Sequence, residues 1–493
     1  MQRPSAPGDR RRVLWQFIVA PLALFAALVS WAVASPVGAS PDDDFHLASI
    51  WCGLGERPGL CEPGDAPDAR TVPKALLTAS QCFAYRQDDS AACELPPADE
   101  MISSTRGNFT GTYPPVFYAA MGVMASDDIP ASVIWMRIVN AGLFVGLVSL
   151  LTWLVPVGLR KLALWPVMLT IVPLGTFIVP STNPSSWAVI SAAGVWLGTY
   201  AYLGASTPRR RVALAALVLV LTVMGAGARA DAAVYSAFGA VLALVLSWKR
   251  VRLSPLTIAL PVAVVLISIA LFFTASQSGG LGYAEERDSV LVLIAANLVL
   301  LPELWVGVFG TVGLGWLDTN MPGTVWVPVV FAFGAIVFAG LRILPARKAV
   351  ALVGVMAALV VLPLYYYVTE GVFVGSVVQP RYIYPLIIIL AGVALYGSAR
   401  ADLRLTRLQL WLVAAFLVIA NAVALHTNLR RYVTGTDVRS ANLEANLEWW
   451  WAGAPLGPNV VWALGSLMFA AAVAALAWVA RADGRKNVEL AAV

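Results

Sequence analysis

The most prominent feature of the chain is a series of long apolar runs that alternate with short polar segments. Each run approaches the roughly 20 residues that a helix needs to cross the hydrocarbon core of a bilayer. We therefore predict an all-α membrane protein. Its expected fold has about twelve transmembrane helices, near residues 13–35, 131–157, 161–179, 186–204, 212–229, 232–247, 255–274, 325–341, 349–368, 383–398, 408–426 and 460–480.

Composition excludes a water-soluble protein. Hydrophobic residues make up 59% of the 493 residues and charged residues only 12%, and the mean hydropathy is +0.77. A soluble domain keeps roughly a quarter of its residues charged, so this chain has too little polar surface to cover a soluble body. The net charge of +5 comes from short basic clusters between apolar runs, so we expect the lipid bilayer, and no nucleic acid, as a partner.

The basic clusters predict the orientation, because basic flanks of spans stay in the cytoplasm. They are Arg3 with Arg10 to Arg12, Arg160-Lys161, Arg209-Arg210-Arg211, Lys249-Arg250-Arg252, Arg342-Arg347-Lys348, Arg400-Arg404-Arg407 and Arg481-Arg485-Lys486. Placing all of them inside pairs the apolar runs as hairpins. The prediction is a multi-pass protein of the cytoplasmic (inner) membrane with both termini in the cytoplasm. The first run is too long for a signal-peptide core; cleavage near 33–40 is the alternative.

One further apolar run, Ser289 to Phe309, does not fit this alternation. A crossing there would place the basic residues of 342–348 on the non-cytoplasmic side, and the run contains Asn297, Pro302 and Glu303. Irregular backbone at membrane depth is tolerated only where it packs against protein. We therefore expect a re-entrant or interfacial segment on the outer side.

The expected organisation has seven parts. They are a cytoplasmic tail at 1–12, a first helix at 13–35, an outer loop at 36–130, a transmembrane core at 131–426 with the re-entrant segment near 289–309, an outer loop at 427–459, a last helix at 460–480 and a cytoplasmic tail at 481–493.

All four cysteines fall in the first outer loop. An even number confined to one non-cytoplasmic loop predicts two disulfides, Cys52–Cys61 and Cys82–Cys93 by proximity. A zinc site is the alternative, although the spacings are far from the two to four residues that such sites use. The disulfides would stiffen the loop.

Candidate chemistry begins directly after the first apolar run, where Asp42, Asp43 and Asp44 are followed two residues later by His46. An acidic run after a helix is often a solvated turn. Here it lies beside the outer lipid leaflet, where a lipid-linked substrate would present its head group. We take Asp42, Asp43 and His46 as candidate catalytic residues and Asp44 as a substrate ligand.

Other outer segments carry groups suited to a phosphate-bearing ligand. The candidate binding residues are Tyr113, Asn183, Arg229, Asp231, Asp318, Arg381 and Tyr382. Charges at membrane depth normally face a cavity or a partner. Arg229 and Asp231 could equally form a structural ion pair, and Arg381 could be an anchor at the interface. The guanidinium fork of Arg381 nevertheless matches a phosphate.

Five motifs resemble those of the bacterial membrane family called domain of unknown function 2142 (DUF2142). They are Pro41-Asp42-Asp43-Asp44-Phe45-His46, Asn183 to Trp187, Arg229 to Asp231, Gly315 to Thr319 and Gln379 to Pro385. The resemblance covers residues 13 to 430. One departure is Asp43, where the family more often has Glu.

That family in turn resembles the GT-C class of glycosyltransferases, which use polyprenyl-phosphate sugars and carry an acidic pair in the first outer loop. The resemblance implies transfer of a sugar to an envelope glycan or lipid acceptor, with Asp42 or Asp43 as the base and His46 orienting the acid or the acceptor. Arg381, helped by Arg229, would neutralise the phosphate. A divalent metal on the aspartates is open, but no ligand set is specified.

Two other function classes remain. A transporter or flippase for a lipid-linked saccharide would carry charges at the centre of spans, whereas the charges here cluster at outer span ends. A non-catalytic scaffold of an envelope-assembly complex is the third reading. No nucleotide-binding glycine motif accompanies a strand-helix junction, which agrees with a lipid-phosphate donor.

Overall fold

The computed structural model describes residues 15–97, 99–251, 254–276, 289–376, 378–397 and 405–491. The predicted tail 1–12 and the basic residues Arg252, Arg400 and Arg404 lie outside this part of the chain. Within it, helices dominate. Ten of them are long and apolar enough to cross a membrane, namely Trp15–Val33, Ile129–Leu154, Val157–Ile178, Ala230–Ser247, Pro255–Phe272, Val290–Thr311, Gly323–Leu341, Ala346–Glu370, Arg407–Val433 and Pro458–Trp478.

All twelve predicted segments are helical over most of their length, so a mostly helical membrane protein is confirmed. Three of them are not among those ten helices. Pro208–Ala226 begins with three arginines, Pro380–Leu395 is only 16 residues long, and Ser185–Leu203 is buried in the bundle and contains several polar residues. At the chain end, helix continues through Ala491, into the predicted tail at 481–493.

The α-helices are numbered in chain order. They are α1 Ala20–Val33, α2 Asp43–Trp51, α3 Lys74–Thr78, α4 Val116–Gly122, α5 Ile129–Leu154, α6 Arg160–Thr170, α7 Thr176–Ile178, α8 Ser185–Leu203, α9 Pro208–Ala226, α10 Ala230–Ser247, α11 Pro255–Phe272, α12 Val290–Val306, α13 Gly323–Leu341, α14 Ala346–Glu370, α15 Pro380–Leu395, α16 Arg407–Val433 and α17 Pro458–Ala491. Short 3-10 or π-helical turns occupy Trp15–Val19, Val157–Leu159, Ile171–Gly175 and Gly307–Thr311.

Side-chain caps mark several helix starts. Asp128 accepts a hydrogen bond from the backbone N–H of Ala131 at the start of α5. Ser254 and Thr406 each form a capping box with the residue three positions later. Such caps satisfy backbone N–H groups that have no partner within the helix, which explains why these helices begin where the apolar runs begin.

The segment between α1 and α5 forms one end of the bundle, which we call the loop face. It contains a small antiparallel sheet in which β2 (Arg70–Pro73) lies between β1 (Glu62–Pro63) and β3 (Met101–Ser104). The predicted disulfides Cys52–Cys61 and Cys82–Cys93 are both present. The zinc alternative for the cysteines is therefore wrong, because all four sulfurs are paired with one another.

Two of the basic clusters that the sequence predicts to be cytoplasmic lie at the opposite end. Arg210 donates hydrogen bonds to carbonyl oxygens of Leu154 and Val155, at the end of α5. Arg347 donates to the carbonyl of Trp248, which follows α10. The molecule thus has one end with these basic clusters, which we call the basic end, and an opposite end, the loop face, that carries the disulfides.

The run predicted to be re-entrant, Ser289 to Phe309, forms α12 and the turn Gly307–Thr311. Together they are long enough to cross a membrane. However, the Asn297 side chain donates to the carbonyl of Val372, just after α14 at its loop-face end. Beyond the turn, Trp316 contacts the segment that follows α1, again at the loop face. The chain therefore reaches the loop face on both sides of the turn.

Candidate functional site

Asp42 lies in a turn whose backbone is held by side chains from distant parts of the chain. The Arg137 guanidinium, fully buried in α5, donates hydrogen bonds to carbonyls of Ala32, Ser35 and Pro36. Further carbonyls of the turn accept from other elements: Val33 from Trp451, Ala34 from Asn428, Gly38 from Trp316 and Pro41 from Asn183. The turn is thus fixed before α2 begins.

Asp42 has a left-handed backbone, with φ of 57°, which is uncommon for a non-glycine residue and is frequent at functional sites. Its carboxylate accepts a hydrogen bond of 2.6 Å from Nη2 of Arg381. The Asp42 side chain is 38% exposed and that of Arg381 only 2%. Burial raises the pKa of Asp42, but the positive charges of Arg381, Arg106 and Arg229 lower it by more, so the net pKa lies below its ordinary value. The carboxylate is therefore ionised and accessible.

Two guanidinium groups lie against the ring of Tyr382. The Cζ atoms of Arg229 and Arg381 are 4.4 and 4.8 Å from the ring centroid. Arg229 also forms a two-pronged ion pair with Asp231, with both N–O distances at 2.9 Å. Its Cζ lies 5.7 Å from the ring centroid of Tyr113, so these predicted residues are brought together.

Three donors of this arginine pair are buried and unused. Among the described residues, no group accepts a hydrogen bond from Nη1 of Arg229 or from Nε and Nη1 of Arg381. A buried donor without a partner costs free energy, and such groups in a native structure call for an explanation. An anion with several oxygens, such as a phosphate, would supply the missing acceptors.

His46 lies inside the loop face and contacts the same aromatic cluster. Its Nδ1 is 2.9 Å from the hydroxyl oxygen of Tyr118, and its ring packs edge-on against Tyr113. Burial lowers the pKa of His46 to about 3, so the imidazole is neutral near pH 7. Burial likewise raises the pKa of Tyr113 to about 12, which keeps its phenol protonated.

Asp43 occupies a different environment from its neighbour. It is fully buried, and its oxygens accept from the hydroxyl of Thr182 at 2.7 Å and the backbone N–H of Ser40 at 2.9 Å. Burial raises the pKa of Asp43 to about 6. A carboxylate enclosed by protein donors holds the turn in place, so this position favours a supporting role over the catalytic one that the sequence predicted.

Asp44 points in a third direction and forms a two-pronged ion pair with Arg106, at 2.8 and 3.1 Å. Both side chains are partly exposed at the rim of the site. The three consecutive aspartates thus contact three different partners and do not converge on one ion. Among the described residues, no three His, Cys, Asp or Glu side chains form a potential metal site.

Asn183 and Asp318 are buried among protein partners instead of facing open space. The amide of Asn183 donates to the carbonyl of Pro41 and accepts from the N–H of Ser185. Asp318 forms a 2.7 Å ion pair with Arg431. Both residues therefore support the site from behind, although the sequence had suggested direct contacts with a substrate.

Several residues that shape the site were not among the individual candidate residues taken from the sequence. They are Tyr85, Arg106, Tyr118, Arg137, Thr182 and Arg431. Only two carried a usable signal. Arg137 is a lone charge inside an apolar run, which usually has a purpose, and Thr182 lies in a polar hairpin between spans. The others are ordinary loop or helix-end residues whose partners are far away in sequence.

A large apolar cavity is separate from this cluster. It has a volume of about 1100 Å³ and is lined by apolar residues of α1 and α5, by α17 and by Trp449 to Trp451. A second cavity of about 480 Å³ lies behind α2 and is lined partly by Tyr118, which contacts His46. Neither is lined by Asp42, Arg229 or Arg381.

Comparison with known proteins gives one result. The model of a family described as "Predicted membrane protein (DUF2142)" matches residues 22–390, which is most of the chain and includes Asp42, Arg229 and Arg381. No curated protein matches the chain, and no solved structure matches it.

Proposed function

The chain belongs to the DUF2142 family of predicted membrane proteins, and we propose that it is a membrane glycosyltransferase. Its donor would be a sugar linked to polyprenyl phosphate, and its acceptor an envelope glycan or lipid. The observation that carries the proposal is the juxtaposition of an accessible carboxylate, Asp42, with the unused donors of Arg229 and Arg381.

The arginine pair is suited to the leaving group. Guanidinium groups bind phosphate through parallel hydrogen bonds, and a charge-assisted bond is about twice as strong as a neutral one. Negative charge develops on the phosphate as the glycosidic bond breaks, and donors already in place stabilise that charge without reorganisation. The ring of Tyr382 lies against both guanidinium groups and would limit their access to water.

Asp42 is suited to the base. In the proposed step, the acceptor hydroxyl gives its proton to the Asp42 carboxylate while its oxygen bonds to the anomeric carbon. The bond from that carbon to the phosphate oxygen breaks, and its electron pair leaves with the polyprenyl phosphate. A phosphate bound to Arg381 would also weaken the ion pair that restrains Asp42 before substrate binds. His46, neutral and hydrogen-bonded to Tyr118, would orient the acceptor.

We also propose the finer topology. Twelve helices would cross the cytoplasmic membrane, with α12 and the following turn re-entering from the loop face and both termini in the cytoplasm. The contacts of Asn297 and Trp316 with loop-face residues support this arrangement. The site would then open on the outer side, where the disulfides are chemically stable.

The test compares adjacent aspartates in purified protein reconstituted into liposomes, with a radiolabelled sugar on polyprenyl phosphate as the donor. Asp42→Asn should lower the transfer rate by about a hundred- to ten-thousandfold, the usual effect of losing a general base. The matched control is Asp44→Asn, which breaks a partly exposed ion pair and should cost little. Both variants should be expressed in the same amount as wild type and should have the same thermal stability.

Three outcomes would overturn the proposal. Equal transfer by wild type and Asp42→Asn would remove the catalytic centre. Movement of the lipid-linked sugar across the bilayer, without transfer to any acceptor by the wild type, would favour a flippase. A wild type that does neither would favour a scaffold in envelope assembly.

A further inference from the structure

Tyr85 is an exposed aromatic residue held close to the Asp42 turn. Its side chain is 71% exposed. Its ring and the Trp316 indole meet edge to face, with centroids 5.5 Å apart, and the Trp316 indole donates to the carbonyl of Gly38, four residues before Asp42. Burial and the charges of Asp42 and Asp44 raise the pKa of the Tyr85 phenol, which agrees with this proximity. The ring is therefore linked through Trp316 to the turn that leads to the candidate base.

The backbone of Tyr85 is strained, with φ of 64°. A left-handed conformation is unfavourable for a bulky side chain and is kept only where the surroundings enforce it. Here the backbone N–H of Tyr85 donates a hydrogen bond of 3.1 Å to Oδ2 of Asp318. The same oxygen forms the ion pair with Arg431. A buried ion pair thus fixes the conformation of an exposed residue.

The rest of its loop is anchored equally firmly. Arg431 also donates to the carbonyls of Phe83 and Asp89, and the Cys82–Cys93 disulfide closes the loop. Gly315 is required for this packing, since a Cβ there would lie 2.7 Å from the hydroxyl of Tyr432. These anchors hold Tyr85 in one position although its ring buries little surface, so packing alone does not account for the arrangement.

We propose that Tyr85 is a stacking platform for the saccharide acceptor. This inference rests on the proposed glycosyltransferase function and names a binding residue for its second substrate. The face of an aromatic ring carries negative partial charge, and it attracts the C–H groups on one face of a sugar ring. A sugar on Tyr85 would turn its hydroxyl edges towards Asp42.

The experiment measures binding separately from catalysis. Saturation-transfer NMR on the full-length protein in nanodiscs would use cellotetraose, mannotetraose and galactotetraose as probes. Wild type should transfer saturation to the ring C–H protons of at least one probe. Tyr85→Asn removes the ring, and asparagine tolerates the left-handed backbone. Tyr85→Phe keeps the ring face, and Tyr365→Ala removes a similarly exposed tyrosine from α14 as a control.

The expected result is that Tyr85→Asn weakens probe binding about tenfold, equivalent to about 1.4 kcal/mol, whereas Tyr85→Phe and Tyr365→Ala bind like wild type. Polyprenyl-phosphate binding should be unchanged in all of them. No saturation transfer with wild type, or equal transfer with Tyr85→Asn, overturns the inference. So does an effect confined to thermal stability, which would identify a membrane-interface anchor.

Sugar transfer, measured on the same proteins, separates the two proposals. Saccharide binding at Tyr85 without any transfer by wild type would leave the platform standing and contradict the glycosyltransferase. The opposite result is transfer that is lost in Asp42→Asn but keeps its rate and acceptor KM in Tyr85→Asn. It would support the glycosyltransferase and contradict the platform.

Discussion

Adjacent residues of the acidic segment have opposite electrostatic behaviour because their neighbours differ. Asp42 faces arginines and keeps its charge, whereas Asp43 is enclosed and its pKa is raised by burial to about 6. His46, one turn later, has its pKa lowered by burial to about 3. A sequence pattern shows that these groups are close together, but the division of roles between them depends on which atoms surround each one.

At the residue scale, Asp43 and His46 should affect stability against pH with opposite signs. As pH falls through 6, Asp43 takes up a proton in the folded state but not in the unfolded chain, where its pKa has the ordinary value of 3.8. Acidification in this range should therefore raise the stability of the folded state. As pH falls below 6.5, His46 takes up a proton in the unfolded chain but not in the folded state. Its contribution should therefore lower the stability of the folded state. Between pH 6 and 4 the two contributions should largely cancel.

Thermal unfolding of single variants between pH 4 and 6.5 checks this expectation. Asp43→Asn should lose stability on acidification and His46→Gln should gain it, by up to about 1.4 kcal/mol per pH unit for one proton. The double variant should be nearly flat, as should wild type. The charged groups around the two residues are unchanged in these variants. Asp43 is faced by Arg137, and His46 is faced by Asp42, Arg381, Arg229 and Arg106. Parallel profiles for the two single variants would contradict the prediction.

The residues that sequence reasoning found and those that it missed differ in a simple way. Arg229, Arg381 and Tyr382 lie in short motifs at span ends, where a charge or aromatic ring is conspicuous, and the structure brings them together. Arg106 lies in a polar loop, and its importance depends on its ion pair with Asp44. Because 62 positions separate the two residues, the sequence gives no sign of this pairing. Such pairings are set by the fold of the loop, which apolar run lengths do not encode.

At the scale of elements, Arg137 donates to more carbonyls of the junction between α1 and α2 than any other side chain named above. Arg137→Lys keeps the positive charge near Asp43 but cannot reach three carbonyls with a fixed fork. Carbonyls left without donors in a buried site each cost about 1–3 kcal/mol. We expect a clear loss of thermal stability together with reduced transfer, because Asp42 would no longer be held at its position.

A matched variant separates stability from positioning. Trp451→Phe removes one donor, the indole N–H that binds the carbonyl of Val33, from the same junction. It should cost only about 1 kcal/mol and leave transfer near normal at permissive temperature. If Arg137→Lys behaves like Trp451→Phe, the junction does not depend on the guanidinium fork.

The positions of the helices could be predicted well from the sequence, whereas the structure of the segments that connect them could be predicted only in part. Runs of roughly 20 apolar residues admit few structures other than helices in a bilayer, and cysteine proximity was enough to pair both disulfides. The small sheet at Glu62–Pro63, Arg70–Pro73 and Met101–Ser104 was not expected. Its strands are two to four residues long, too short to show a periodic pattern.

At the scale of the whole molecule, two chemically different ends imply an orientation. One end carries the disulfides and the candidate site, and the other carries the basic clusters that contain Arg210 and Arg347. Basic loops favour the cytoplasm and disulfides favour an oxidising compartment. Both tendencies give the same sidedness, so a reversed insertion would have to act against each of them.

Reporter fusions in the intact protein test this orientation together with the status of α12. Fusions after Ala205, Pro345 and Arg485 should all report the cytoplasm, and a fusion after Gly55, in the disulfide-bonded loop, should report the opposite side. Pro345 is decisive, because Arg347 contacts Trp248 at the basic end. If α12 crossed the membrane, an odd number of crossings would separate Ala205 from Pro345. The Pro345 fusion would then report the outer side, which would refute the re-entrant segment and the twelve-span topology together.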